Sequence, residues 1–212
     1  MAKKVDPIPG MHRQPKQARS RERVNKILDV AEEMFIAEGC NAVTTNAIAA
    51  KAEVPIGSLY QFFPDKAAIV QALAARYTAL HSQKILAMGP EIALLPFSDV
   101  LALVVDTNDQ FFADYPGYQA IYMQMQATVP ELAAIEEAAD VEIIDATADF
   151  LSQHFPGLDT DHYQVIAMVI VKSIGTFLWL SRSQPPDCRQ RLLDETKRLV
   201  QSYALSYWPE QG

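Results

Sequence analysis

Cysteine is nearly absent. Cys40 and Cys188 are the two in 212 residues, too few for a disulfide framework and at no metal-ligand spacing. The four histidines, His12, His81, His154 and His162, stand apart, with no HExxH pair among them. There is no glycine-rich phosphate loop and no GxSxG elbow. Asp140, Glu142, Asp145 and Asp149 cluster, but their spacing suits a solvated helix face. No catalytic residue, metal site or cofactor is therefore expected. Glycine is scarce, 8 against 29 alanines, which favours helix throughout. No alternating strand pattern and no internal repeat occur. The segment Met1–Gly10 has no apolar run of the signal-peptide kind, and with so little cysteine a reducing cytoplasm is the expected setting. The 19 residues Tyr163–Ser181 carry a single charge, Lys172 at mid-span. A lysine at a bilayer centre costs roughly 3 kcal/mol, so this stretch reads as a buried helix and no membrane partner is expected.

What is present is an uneven distribution of charge. The net charge is −8, yet residues 1–26 hold eight basic side chains against two acidic ones, a net of +6. Residues 67–212 hold 8 basic and 18 acidic side chains, a net of −10. A basic arm on an acidic body implies two modules with different partners, or a solvated tail.

The apolar pattern is helical. Val24, Ile27, Leu28, Ala31, Met34 and Phe35 form one stripe over about 18–38, and Gly39 is a natural stop. Thr44 and Thr45 offer a hydroxyl cap for a short helix through Ala52. After a break at Glu53–Pro55 a second short helix runs to Phe62 or Phe63 and ends at Pro64. Two short helices joined by about three residues, after a longer one, form the helix-turn-helix pattern. Met1–Gln17, with Pro7, Pro9 and Pro15, reads as a flexible basic arm.

The residues in this pattern are distinctive. Thr44-Thr45-Asn46-Ala47-Ile48-Ala49, then Ala52-Glu53-Val54-Pro55-Ile56-Gly57-Ser58-Leu59-Tyr60-Gln61-Phe62-Phe63-Pro64-Asp65-Lys66, closely resembles the DNA-binding signature of the tetracycline-repressor (TetR) family. The resemblance covers about residues 19–70. It implies that Thr45, Ser58, Tyr60 and Lys66 hold the phosphate backbone of double-stranded DNA and that Asn46 reaches a base edge. In the major groove, Ile56 can touch a thymine methyl, Gly57 lets the backbone approach, and Gln61 faces the duplex; Leu59 and Phe63 are expected in the core. Two departures stand out. Glu53 occupies the usual glycine of the turn, where a positive φ would strain it. Gln61-Phe62 replaces a frequent aromatic-histidine pair.

Beyond Lys66 the reading is a helical effector-binding and dimerisation domain, 67–212, after a DNA-binding domain at 18–66. Helices are expected at about 65–88, 98–115, 117–128, 130–155, 159–183 and 186–208. Asn108, Phe112, Tyr122, Met123 and Gln126 are either ordinary core or the lining of a pocket for an apolar or aromatic small molecule. No clustered charge is visible among them. The resemblance implies dimerisation through the last two helices, and Val169, Gly175, Thr176, Leu199 and Tyr203 are the expected interface. The function implied is a homodimeric repressor released from a palindromic operator by a small-molecule effector. The alternative is a regulator without such an effector, controlled by a protein partner or acting as an activator.

Overall fold

The computed structural model describes residues 8–92 and 95–209. Met1–Pro7 of the expected arm and the side chain of Met123 lie outside the described residues. Among the described residues the chain is helices and turns, with no strand. It divides into two compact units, residues 1–79 with 115–137 and residues 80–114 with 138–212.

The first unit is built on α1 (Ala18–Glu38), α2 (Thr45–Lys51), α3 (Ile56–Phe62), the start of α4 (Lys66–Leu86) and α7 (Pro116–Met125). The stripe of α1 is its buried face: Val24, Ile27, Leu28, Ala31, Met34 and Phe35 are all inside. Gly39 ends α1 at φ +81°, donating its N–H to Phe35 O at 3.1 Å. Thr44 Oγ1 accepts from the Ala47 N–H at 3.2 Å and starts α2. Asp65 does the same for α4, accepting from the Ala68 N–H at 2.8 Å. Each supplies an acceptor to a first-turn N–H that the helix itself cannot satisfy.

The helix α7 packs on α1, and its fastenings are specific. The Cys40 N–H donates to Gln124 Oε1 at 2.8 Å. Tyr77 of α4 is buried and donates to Glu32 Oε1 at 2.5 Å, while Arg76 pairs with Asp29 at 2.7 Å and Glu32 at 3.2 Å. The Tyr77 ring meets Tyr115 and Tyr118 edge-on. Gly117 is required here: a Cβ on it would collide with the Tyr77 hydroxyl. Burial, and then the carboxylate of Glu32, push the Tyr77 hydroxyl far above the usual tyrosine range. A continuous helix therefore crosses the expected boundary after Lys66, and the compact unit takes in α7.

The second unit holds the end of α4, a single turn α5 (Gly89–Ile92), α6 (Phe97–Asp114), α9 (Thr160–Ser181), α10 (Pro186–Leu205) and most of α8 (Glu131–His154). The turn α5 was not expected from the sequence. The largest helix pairing is α9 on α10, with α6 against both. Phe97, Phe155 and Trp208 cluster, with centroids 4.5–5.9 Å apart, and Trp208 stacks on Tyr163.

By length and composition α9 could cross a membrane, at mean hydropathy 1.6. Its central charge is paired, Lys172 Nζ to Asp140 Oδ2 at 2.7 Å. One face of α9 is buried through Tyr163, Ile166, Ala167, Ile170, Ile174 and Leu178. The opposite face leaves Val165, Met168, Val169 and Leu180 exposed. Burial on two faces was expected, and a single chain covers one.

Candidate nucleic-acid interface

The helix-turn-helix forms as its sequence suggests. Leu59 and Phe63 are fully buried and Phe62 nearly so. Tyr60 and Gln61, on the other side of α3, are exposed. Large side chains that a soluble fold would ordinarily hide are left out: Tyr60 is 44% and Ile56 37% accessible. Gly57 and Asn46 are exposed beside them, and Thr45 and Ser58 are half-buried. A Cβ on Gly57 would meet nothing within 4 Å, so its small size serves no packing inside the chain. The hydroxyls of Thr45 and Tyr60 lie 3.1 Å apart in a hydrogen bond. That bond joins the start of α2 to the exposed face of α3, and both hydroxyls keep lone pairs or a proton for a further partner.

The turn between the helices carries the strain expected of it. Glu53 has φ +53° and is the one non-glycine residue with positive φ among the described residues. Its carboxylate pairs with Lys26 Nζ at 2.8 Å, and that hydrogen bond lowers its pKa below the usual glutamate value. The charge of this acid is thus paired from α1.

At two places the geometry differs from the expected picture. Lys66 does not present its charge outward for a phosphate. Its ammonium donates to the carbonyls of Cys40 at 2.7 Å, Val43 at 3.0 Å and Asn41 at 3.3 Å. An ammonium has three N–H donors, and all three are engaged by the segment that joins α1 to α2. Nor is the arm wholly flexible. From Ile8 to Gln17 it is fastened to the unit: the His12 N–H donates to Phe62 O at 3.0 Å. The Gln14 side chain closes a loop through Ile8, donating to its carbonyl at 2.9 Å and accepting from its N–H at 3.0 Å. Gly10, at φ +75°, sits so close to α4 that a Cβ would lie 2.6 Å from Ala68 O. Arg13, Lys16, Arg19, Arg21 and Arg23 all remain exposed.

Residues 27–73 match the family of bacterial regulatory proteins of the tetR type. Residues 96–203, just over half of the chain, match the tetracyclin repressor-like C-terminal domain. The chain belongs to the TetR family. It is a DNA-binding transcriptional regulator with the all-α architecture of that family. A transcriptional activator, FasR of Mycolicibacterium smegmatis, is 28% identical over 172 residues, 78% of this chain and 76% of the relative. A TetR-family regulator from Streptomyces coelicolor is 24% identical, with TM-score 0.58 over 89% of this chain and 98% of that one. One from Mesorhizobium loti is 15% identical, with TM-score 0.69 over 90% and 98%. The last two likenesses concern the fold.

The expected effector residues fall in both units of this TetR-family chain. Tyr122, buried, and Gln126, exposed, lie in the first unit, and Asn108 and Phe112, both buried, in the second. Asn108 is held rather than free: its Nδ2 donates to Val104 O at 2.7 Å and its Oδ1 lies 2.6 Å from His81 Nε2. That oxygen can only accept, so Nε2 carries the proton. Burial of the ring, against Phe111 at 4.8 Å, lowers the His81 pKa and favours this neutral form. A cavity of about 210 Å³ in the second unit is lined by Ile92, Phe97, Val100, Phe150, His154 and Phe155 among others. Asn108, Phe112, Tyr122 and Gln126 do not line it. Of the expected interface residues, Val169, Gly175, Thr176 and Leu199 are exposed and Tyr203 is half-buried.

Sequence reasoning missed Gln124, which holds α7 to the end of α1, and a cluster of Asp109, Arg182 and Arg189 in the second unit. Asp109 lies 73 and 80 positions from the two arginines, a separation at which sequence gives no pairing signal. Replacing Lys66 by Met leaves the carbonyls of Cys40, Asn41 and Val43 without their donor. Each such loss costs about 1–3 kcal/mol where water cannot substitute. Lys66→Met is expected to lower the melting temperature and, through the displaced α2, the operator affinity, as calorimetry and gel shift would record.

Proposed function

We propose that this TetR-family regulator binds a palindromic operator as a homodimer and is released by a small-molecule effector. The reading is of a non-enzymatic, cytoplasmic protein whose partners are duplex DNA, a second copy of itself and the effector, with no membrane partner and no cofactor. Its main support is the exposure of Ile56, Gly57, Tyr60 and Gln61 along one face of α3 while Leu59 and Phe63 fill the core. A helix fits the major groove, where base edges are distinguishable. Thr45, Ser58 and Tyr60 are assigned to phosphates, Asn46, Ile56 and Gln61 to base edges, and Gly57 to close approach of the backbone. Lys66 is a positioning residue in this reading. Exposed basic residues of the fastened arm add phosphate contacts that carry no sequence information.

The dimer reading rests on the outer face of α9. Val165, Met168, Val169 and Leu180 lie on one side of the helix, Met168 and Val169 three and four residues after Val165, and all are exposed. Leu199 and Tyr207 of α10 are exposed as well. Apolar side chains in such a row mark an interaction surface, and a two-fold partner gives two recognition helices for two half-sites. Effector control is read from the family and from the buried polar pair His81–Asn108 beside Phe112. Activation instead of repression is the second reading, favoured by the relative named as an activator.

Two experiments test this. Tyr60→Ala is expected to weaken binding to every duplex and to lower the salt slope little, because Tyr60 carries no charge. Ile56→Ala is expected to change the preferred bases at one position by about 1–3 kcal/mol. Gel shifts on a randomised half-site separate the two, and identical effects would contradict the assigned groove face. Gly175→Glu and Val169→Asp place a charge on the outer face of α9. A Cβ at Gly175 meets nothing within 4 Å, so the protomer tolerates the change while an apolar interface does not. Light scattering is expected to report monomers for both variants and a dimer for the parent and for Asp149→Ala. A parental monomer at micromolar concentration contradicts the reading.

A further inference from the structure

Three charged side chains meet in the second unit, and their charges do not balance. Arg189 Nη2 lies 2.7 Å from both carboxylate oxygens of Asp109. Arg182 Nη2 lies 3.2 Å from Oδ1 of the same carboxylate and also donates to the Asp109 backbone carbonyl at 2.5 Å. Two guanidinium groups thus share a single carboxylate, leaving one positive charge in excess. Their side chains are 10% accessible for Arg182, 33% for Arg189 and 19% for Asp109.

The donors are not satisfied either. The Nε of Arg182 and the Nε of Arg189 are both buried and neither has a hydrogen-bond partner among the described residues. Buried N–H groups are almost always paired in native proteins, and a charge removed from water needs an opposite charge and hydrogen bonds. Asp109 carries one negative charge and cannot neutralise both guanidinium groups. The guanidinium of Arg182 lies over the Phe112 ring, 5.5 Å from its centroid, and Phe112 meets Trp179 edge-on at 6.5 Å. Cationic donors and an aromatic wall are therefore adjacent.

We propose that Arg182 and Arg189, beside Phe112 and Trp179, form a binding site for a small carboxylate with an aromatic body. A carboxylate carries the single negative charge that the cluster lacks. Its two oxygens match the planar N–H fork of a guanidinium, and an attached ring would extend along Phe112 and Trp179. The sequence suggested an apolar or aromatic effector, because no clustered charge was visible among the expected residues; α6, the end of α9 and α10 bring such charge together.

Benzoate and its neutral isostere benzamide test the site on the full-length protein at fixed ionic strength, by calorimetry and thermal unfolding. Benzoate is expected to bind and to raise the melting temperature, and benzamide to do neither. Arg182→Met is expected to fold, because Asp109 keeps Arg189, and to bind benzoate about tenfold more weakly or worse. Arg189→Gln is expected to show the same loss. Equal behaviour of benzoate and benzamide overturns the proposal even if neither variant folds. So does parental affinity in Arg182→Met, or an equal response to inorganic phosphate, which would mark a general anion sink. Binding is read without DNA, so failure here leaves the operator-binding reading untouched.

Discussion

The ammonium of Lys66, set among the carbonyls of Cys40, Asn41 and Val43, is the constraint on which the DNA-reading unit depends. Three carbonyls of one connecting segment converge on it. Their common donor fixes where α1 ends, where α2 begins and where α4 starts. The same segment is held from the other side by Gln124 of α7, which accepts from the Cys40 N–H. Burial raises the Cys40 thiol to about 11, so it stays protonated and adds no competing charge beside the ammonium. Beside this fixed segment, the Thr45–Tyr60 hydrogen bond joins the outer faces of α2 and α3.

Much of this was legible in the sequence because it is local. The stripe of α1, the hydroxyl cap of α2 and the proline that ends α3 each depend on residues within a few positions. The inside-outside division of α3 followed from its pattern: Leu59 and Phe63 in, Tyr60 and Gln61 out. Glu53 at positive φ was anticipated for the same reason, since a turn of this length needs such a residue.

What the sequence hid is long-range. A lysine after a short helix resembles a phosphate contact by its place in the motif. Nothing local says that three carbonyls 23 to 26 residues earlier will engage it. The prolines of the arm suggested mobility, yet Gly10 lets it lie close against α4. The helix α7 joined the unit of α1 through Gly117, Tyr77 and Gln124, contacts spanning 40 residues or more. The Asp109–Arg182–Arg189 cluster is the extreme case, because three separate helices build it.

The central claim is that two copies of this reading unit engage one duplex. Hydroxyl-radical footprinting of the parental protein on its operator tests that claim directly. The account predicts two protected patches on one face of the DNA, related by a two-fold axis, with centres about one helical turn apart, ~34–36 Å. A single unpaired patch, or protection spread evenly without regard to sequence, would contradict it.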